Sequence, residues 1–80
     1  MPKTIFTGDN QIVVEAIRAE RLRAGMTQAQ LAARLHKDQS WVSLMEGSQR
    51  RLDVVEFIKV AEALDGEPTV LLGEIVGRLG

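Results

Sequence analysis

The sequence predicts an all-α fold of five helices. Three observations carry that expectation. Apolar residues recur at three- and four-residue spacing from about residue 10 to the C-terminus. A helix-start residue precedes or opens each of these stretches. No stretch longer than "TIFT", residues 4–7, reads as a strand, and there is no internal repeat or low-complexity tract.

Each element follows from local signals. The first helix is expected over about residues 10–24, with Asp9 as N-cap, Val13, Val14, Ala16 and Ile17 at helical spacing, and Gly25 as its stop. Residues 1–9 are expected to form an N-terminal arm and residues 10–80 the single domain. Thr27 and Gln30 fit a capping box that opens a short second helix carrying Leu31, Ala32 and Leu35. Asp38 caps a third, which runs to about Glu46 with Val42 and Met45 facing inward. The fourth has the fullest start signal. Asp53 and Glu56 form a capping box, and Leu52 and Phe57 occupy the two positions of a hydrophobic staple. Phe57, Ile58, Ala61 and Leu64 are its expected apolar face, and Asp65 and Gly66 end it. The fifth starts at Pro68, a favoured first position, and carries Leu71, Leu72, Ile75, Val76 and Leu79.

Composition narrows the function. The 80 residues include no Cys and one His, which excludes disulfides and thiolate zinc sites and argues against any protein-held metal. No cofactor is expected. An enzyme needs convergent titratable groups, whereas the carboxylates here are scattered and several are placed as helix caps, so catalysis is not expected. There is no secretory h-region and no apolar run near the roughly 18 residues of a membrane span. The expected location is the cytoplasm, at the nucleoid if the partner is DNA.

The formal net charge of -1 hides an asymmetry. Residues 1–17 hold Lys3 against Asp9 and Glu15, a net of -1. Residues 18–51 hold Arg18, Arg21, Arg23, Arg34, Lys37, Arg50 and Arg51 against Glu20, Asp38 and Glu46, a net of +4. Residues 52–80 hold Lys59 and Arg78 against Asp53, Glu56, Glu62, Asp65, Glu67 and Glu74, a net of -4. A polyanion is attracted to one part of this chain and repelled by another.

The basic part contains two short helices joined around "LHKD", the layout of a helix-turn-helix, whose second helix enters the major groove of DNA. With Val42 and Met45 inward, Gln39, Ser40, Ser43 and Leu44 face outward. Gln pairs with adenine, Ser bonds several base edges, and Leu meets a thymine methyl, so these four are the candidate base contacts. The basic residues beside them suit phosphates. Trp41 fits equally at the edge of the core or along a sugar-phosphate strand, with its indole N–H as donor.

Residues of about 12–72 resemble the Xre family of phage-repressor-like helix-turn-helix domains, through "RLRAGMTQAQLAARL", "QSWVSLMEG" and "RRLDVVEFIKVAEAL" in that order. The resemblance implies a compact five-helix repressor-like fold, a homodimer on double-stranded DNA and control of transcription, with repression as the expected sign. It implies that Gln28 touches a phosphate and supports Gln39, that Arg21 pairs with Glu46 as a structural ion pair, and that Arg50 and Arg51 grip the DNA backbone. The sequence departs from the family pattern at three places. His36 stands where a turn Gly is usual. Glu46-Gly47-Ser48 replaces Glu-x-Gly, so the third helix is expected to end a residue early and shift the Arg50–Arg51 loop. Leu44 replaces a residue that is often polar or basic.

The fifth helix has more apolar surface than one packing stripe needs, and Gly73 and Gly77 form a small-xxx-small pair. Each costs a helix interior up to about 1 kcal/mol relative to Ala, which close approach of a second helix would explain. Leu72, Gly73, Ile75, Val76, Gly77 and Leu79 are therefore the expected dimer interface, and a two-fold dimer implies an inverted-repeat operator. The alternative reading is an antitoxin or anti-activator. Its fifth helix and acidic C-terminal half would bind a partner protein, and its DNA binding would be secondary.

Overall fold

The computed structural model describes residues 8–80, which form five helices: α1 Asp9–Arg23, α2 Gln28–Arg34, α3 Gln39–Glu46, α4 Val54–Ala63 and α5 Pro68–Leu79. The expected arm lies almost wholly outside the described residues. α1 packs against α3 and α5, α2 against α3 and α4, and α4 against α5, so α1 is the strut on which the other layers close. The core takes Val14, Ala16 and Ile17 from α1, Leu31 and Ala32 from α2, Val42 and Met45 from α3, Val60, Ala61 and Leu64 from α4 and its end, and Leu71 and Ile75 from α5.

Both capping boxes form. Thr27 accepts from the Gln30 backbone N–H while the Gln30 side chain accepts from Thr27, and Asp53 and Glu56 repeat the arrangement on α4. Leu52 and Phe57 both pack against the core, as a staple requires. At α1 the expected cap is displaced by one residue. Gly8, at φ 66°, is the N-cap, and Asp9 lies in the first helical turn without a side-chain cap bond. There its charge still meets the positive end of the helix dipole. Asp38 likewise caps α3 without a side-chain bond. On α4 the buried stripe is Val60, Ala61 and Leu64 with Phe57 beside it. Ile58, expected inside, is 38% exposed.

Four helices end in the same turn. Gly25, His36, Ser48 and Asp65 have φ of 71°, 56°, 58° and 60°. At each, the N–H of that residue and of the next bond back to carbonyls three and five residues earlier. This is the Schellman motif, which places the left-handed residue just past the helix end. Only one of the four is Gly. Ser48 holds this position after α3, so the helix runs to Glu46 without the expected shortening, and the turn keeps its register. The Ser48 hydroxyl is buried and accepts from Asn10 Nδ2 at 2.7 Å, which ties the start of α1 to the end of α3.

Candidate nucleic-acid interface

α2, the turn at residues 35–38 and α3 build one surface. Val42 and Met45 are fully buried against α1 and α2, which rotates Gln39, Ser40, Ser43 and Leu44 outward. Leu44 is 45% exposed, a large apolar side chain on an otherwise uncharged polar face. His36, Lys37, Asp38, Ser40, Trp41 and Leu44 line one open concavity beside it. Lys37 was visible to the sequence only as part of a charge count. The structure places it in the same concavity as the Ser40 and Leu44 side chains.

The back of α3 is fixed by a buried ion pair. Arg21 Nε and Nη2 donate to Glu46 Oε2 and Oε1 at 2.7 and 2.9 Å, and Arg21 Nη1 donates to the Met26 carbonyl at 2.8 Å. The hydrogen bonds to Glu46 raise the Arg21 guanidinium above its already high ordinary value, outweighing the opposite effect of burial. Gln28 Nε2 donates to Glu46 Oε1 at 3.1 Å, so its amide supports the end of α3 rather than Gln39 at its start.

Arg50 and Arg51 differ in their surroundings. Arg51 is exposed. Arg50 is turned inward: its Cζ lies 4.5 Å from the Trp41 ring centroid and its Nη2 donates to Glu56 Oε2 at 3.1 Å. Lys37 Nζ is 5.6 Å from the same centroid. The Asp53 backbone N–H holds the Glu56 carboxyl below its ordinary value against the upward push of burial, and the Arg50 guanidinium adds to the lowering. Trp41 thus sits at the edge of the core, packed against it and covered by Arg50.

The expected dimer residues divide. Ile75 is 2% exposed and belongs to the core with Leu71, because that stripe of α5 packs on α1 and α4. Leu72, Val76 and Leu79 are exposed on the adjacent stripe, and a Cβ added at Gly73 or Gly77 would meet nothing within 4 Å. Neither glycine is explained by packing within the monomer.

Residues 17–71 match the helix-turn-helix family model. An XRE-family like protein from Pseudomonas syringae pv. tomato str. DC3000 is 36% identical over 90% of this chain and 88% of its own, with a TM-score of 0.83. The chain belongs to the Xre family of helix-turn-helix regulators. That places it among DNA-binding regulators of transcription. The fold is shared with the restriction-modification controller protein C.Esp1396I, seen as a tetramer on its natural 35 base-pair operator. The two are 23% identical over 92% of this chain and 97% of the controller, with a TM-score of 0.83. It is also shared with the clp gene regulator ClgR from C. glutamicum, at 20% identity over 94% of this chain and 97% of the regulator, with a TM-score of 0.81. No curated protein is significantly similar in sequence. Among the described residues no helix is long and apolar enough to cross a membrane, and no group of three or more His, Cys, Asp or Glu is placed to hold a metal ion.

Proposed function

We propose that this Xre-family protein binds an inverted-repeat operator as a homodimer and represses transcription from it, inserting α3 into the major groove. The observation that carries the reading is the outward face of α3. Gln39, Ser40, Ser43 and Leu44 stand exposed on a helix whose opposite face is locked by Val42, Met45 and the Arg21–Glu46 pair. Uncharged donors, acceptors and one apolar tip on a rigid helix suit base edges, not bulk phosphate. Arg51, exposed in the loop that follows α3, and Gln28, bonded to Glu46, take phosphates, Gln28 through the second N–H of its amide nitrogen.

The two-fold partner covers α5. Leu72, Val76 and Leu79 lie on one exposed stripe. Val54 and Phe57 of α4 continue it across an apolar hollow of about 190 Å³ that Val13, Leu52, Leu72 and Ile75 also line. Gly73 and Gly77 leave room for close approach. The fold relative C.Esp1396I is seen as a tetramer on its operator DNA, which supports an oligomer on DNA here. The test is selection of bound duplexes from a random pool, followed by sequencing. The expected product is a palindromic motif with half-sites about 34 Å apart centre to centre. Enrichment of no motif, together with retention on a column of a partner protein, would favour the antitoxin or anti-activator reading.

A further inference from the structure

We propose that Arg50 and Trp41 form a brace, anchored on Glu56, that sets the orientation of α3 against α4 and so controls sequence specificity without touching DNA. This deepens the DNA-binding reading and rests on it. It also parts Arg50 from Arg51, its neighbour in the basic pair.

The geometry is that of a committed side chain. Arg50 Nη2 is bonded to Glu56, its guanidinium lies 4.5 Å from the centroid of the Trp41 ring, and its Nη1 is buried with no hydrogen-bond acceptor among the described residues. A cation over an aromatic face is held by the ring quadrupole. A guanidinium also stacks flat, which an ammonium does not. To reach a phosphate, Arg50 would have to leave both the ring and the carboxylate.

The three residues span the junction that needs fixing. Trp41 is in the first turn of α3, Arg50 is in the connecting loop and Glu56 is the third residue of α4. Glu56 is itself immobilised, because one oxygen accepts the Asp53 N–H at 2.9 Å in the capping box while the other receives Arg50. The capping box is thus the anchor, Arg50 the link and Trp41 the contact on α3. The far end of α3 is already held by Arg21 and Glu46. Trp41 holds the near end, where Gln39 and Ser40 stand, and small changes in tilt there displace both from base edges. Arg50 and Glu56 are positioning residues in this scheme.

The test uses the full chain, a duplex selected from the random pool and a random duplex, each titrated over a range of KCl concentrations. With Arg50→Gln, affinity for the selected duplex is expected to fall about tenfold or more and affinity for random DNA by much less, at an unchanged salt slope. Arg50→Lys is expected not to restore it, and Trp41 emission, from the single Trp of the chain, should change in the free protein. Glu56→Gln preserves the capping box and guards against a folding defect. It too should lower specific affinity. A phosphate-contacting Arg50 gives the opposite pattern: equal losses on both duplexes, a slope shallower by about 0.9, rescue by Lys, and tighter binding when Glu56→Gln releases the arginine. That pattern overturns the brace. Selection of no motif by the wild-type chain would instead remove the DNA reading and the brace with it.

Discussion

Arg21 of α1 and Glu46 of α3, 25 residues apart in sequence, share two parallel hydrogen bonds of 2.7 and 2.9 Å on the inner side of α3. Their side chains are 9% and 4% exposed, so each charge depends on the other. Breaking a buried pair from one side strands a charge and typically costs about 3 to 5 kcal/mol, whereas replacing both partners by apolar groups can be nearly neutral. Arg21→Met alone should therefore destabilise strongly, and Arg21→Met with Glu46→Leu should recover much of the loss. Urea denaturation of the four members of the cycle measures it. Additive losses would mean that the pair is not coupled.

The left-handed residues make a second, finer prediction. His36 is exposed at φ 56°, and among the described residues its side chain makes no hydrogen bond. His36→Gly should stabilise by up to about 1 kcal/mol, the left-handed penalty less the extra freedom of Gly in the unfolded chain. Ser48 has nearly the same φ, but its buried hydroxyl accepts from Asn10. Ser48→Gly should gain nothing or lose stability, because Asn10 is left without that partner. Thermal melts of the two variants separate backbone strain from side-chain bonding; equal shifts would refute the distinction.

Much of the fold was legible because its signals are local. Capping boxes at Thr27–Gln30 and Asp53–Glu56, and the inward pair Val42 and Met45, depend only on spacing along one helix. What sequence spacing could not decide was which of two adjacent stripes a neighbour covers. Ile58 and Val60 flank the Phe57, Ala61 and Leu64 stripe on opposite sides, and Ile75 and Val76 lie about 100° apart around α5; only the helices packed on each, α2 and α5 for α4 and α1 and α4 for α5, choose between them. The site was legible to the same degree. The outward face of α3 followed from periodicity, but the inward turn of Arg50 depends on Trp41 and Glu56, which lie on two different helices.

The same division of α5 gives opposite outcomes for neighbouring residues. Val76 is 58% exposed, so Val76→Glu should leave helicity and melting nearly unchanged while abolishing the dimer. Ile75→Glu should instead unfold the domain, because a carboxylate would enter the core beside Leu71. Sedimentation and circular dichroism together check both. A Val76→Glu chain that still sediments as a dimer would place the interface elsewhere, and a wild-type chain that stays monomeric with and without operator would rule the dimer out.

Acid should loosen the brace once the Glu56 carboxylate is protonated. Glu56 faces the Asp53 N–H, Arg50 and, further off, Lys37, and its carboxyl is held below its ordinary value of 4.5. A depressed acid contributes stability that is fully present above its unfolded pKa and is lost as pH falls through its folded pKa. The wild-type stability curve should therefore drop more steeply below about pH 4.5 than that of Glu56→Gln, which has no group to protonate there. Chemical denaturation between pH 3 and 7 checks this. Parallel curves would show that the Glu56 charge contributes nothing to the fold.

The two kinds of DNA contact proposed for this surface separate by salt and by sequence. Arg51 is exposed in the loop between α3 and α4, and the phosphate contact proposed for it is blind to the bases. Arg51→Ala should weaken binding to the selected and random duplexes alike and make the salt slope shallower by about 0.9 for the one phosphate lost. Gln39 opens α3 on its exposed face and carries an amide able to donate to and accept from adenine at once. Gln39→Ala should cost about 1 to 3 kcal/mol on the selected duplex, much less on random DNA, and leave the slope unchanged. Its preference at one base pair of each half-site should also relax, since nothing remains there to reject the wrong base. Fluorescence anisotropy with single-base variants of the selected duplex reads all three quantities. If Gln39→Ala lowered both duplexes equally at an altered slope, Gln39 would be holding the backbone, and the reading of bases would have to pass to Ser40, Ser43 and Leu44.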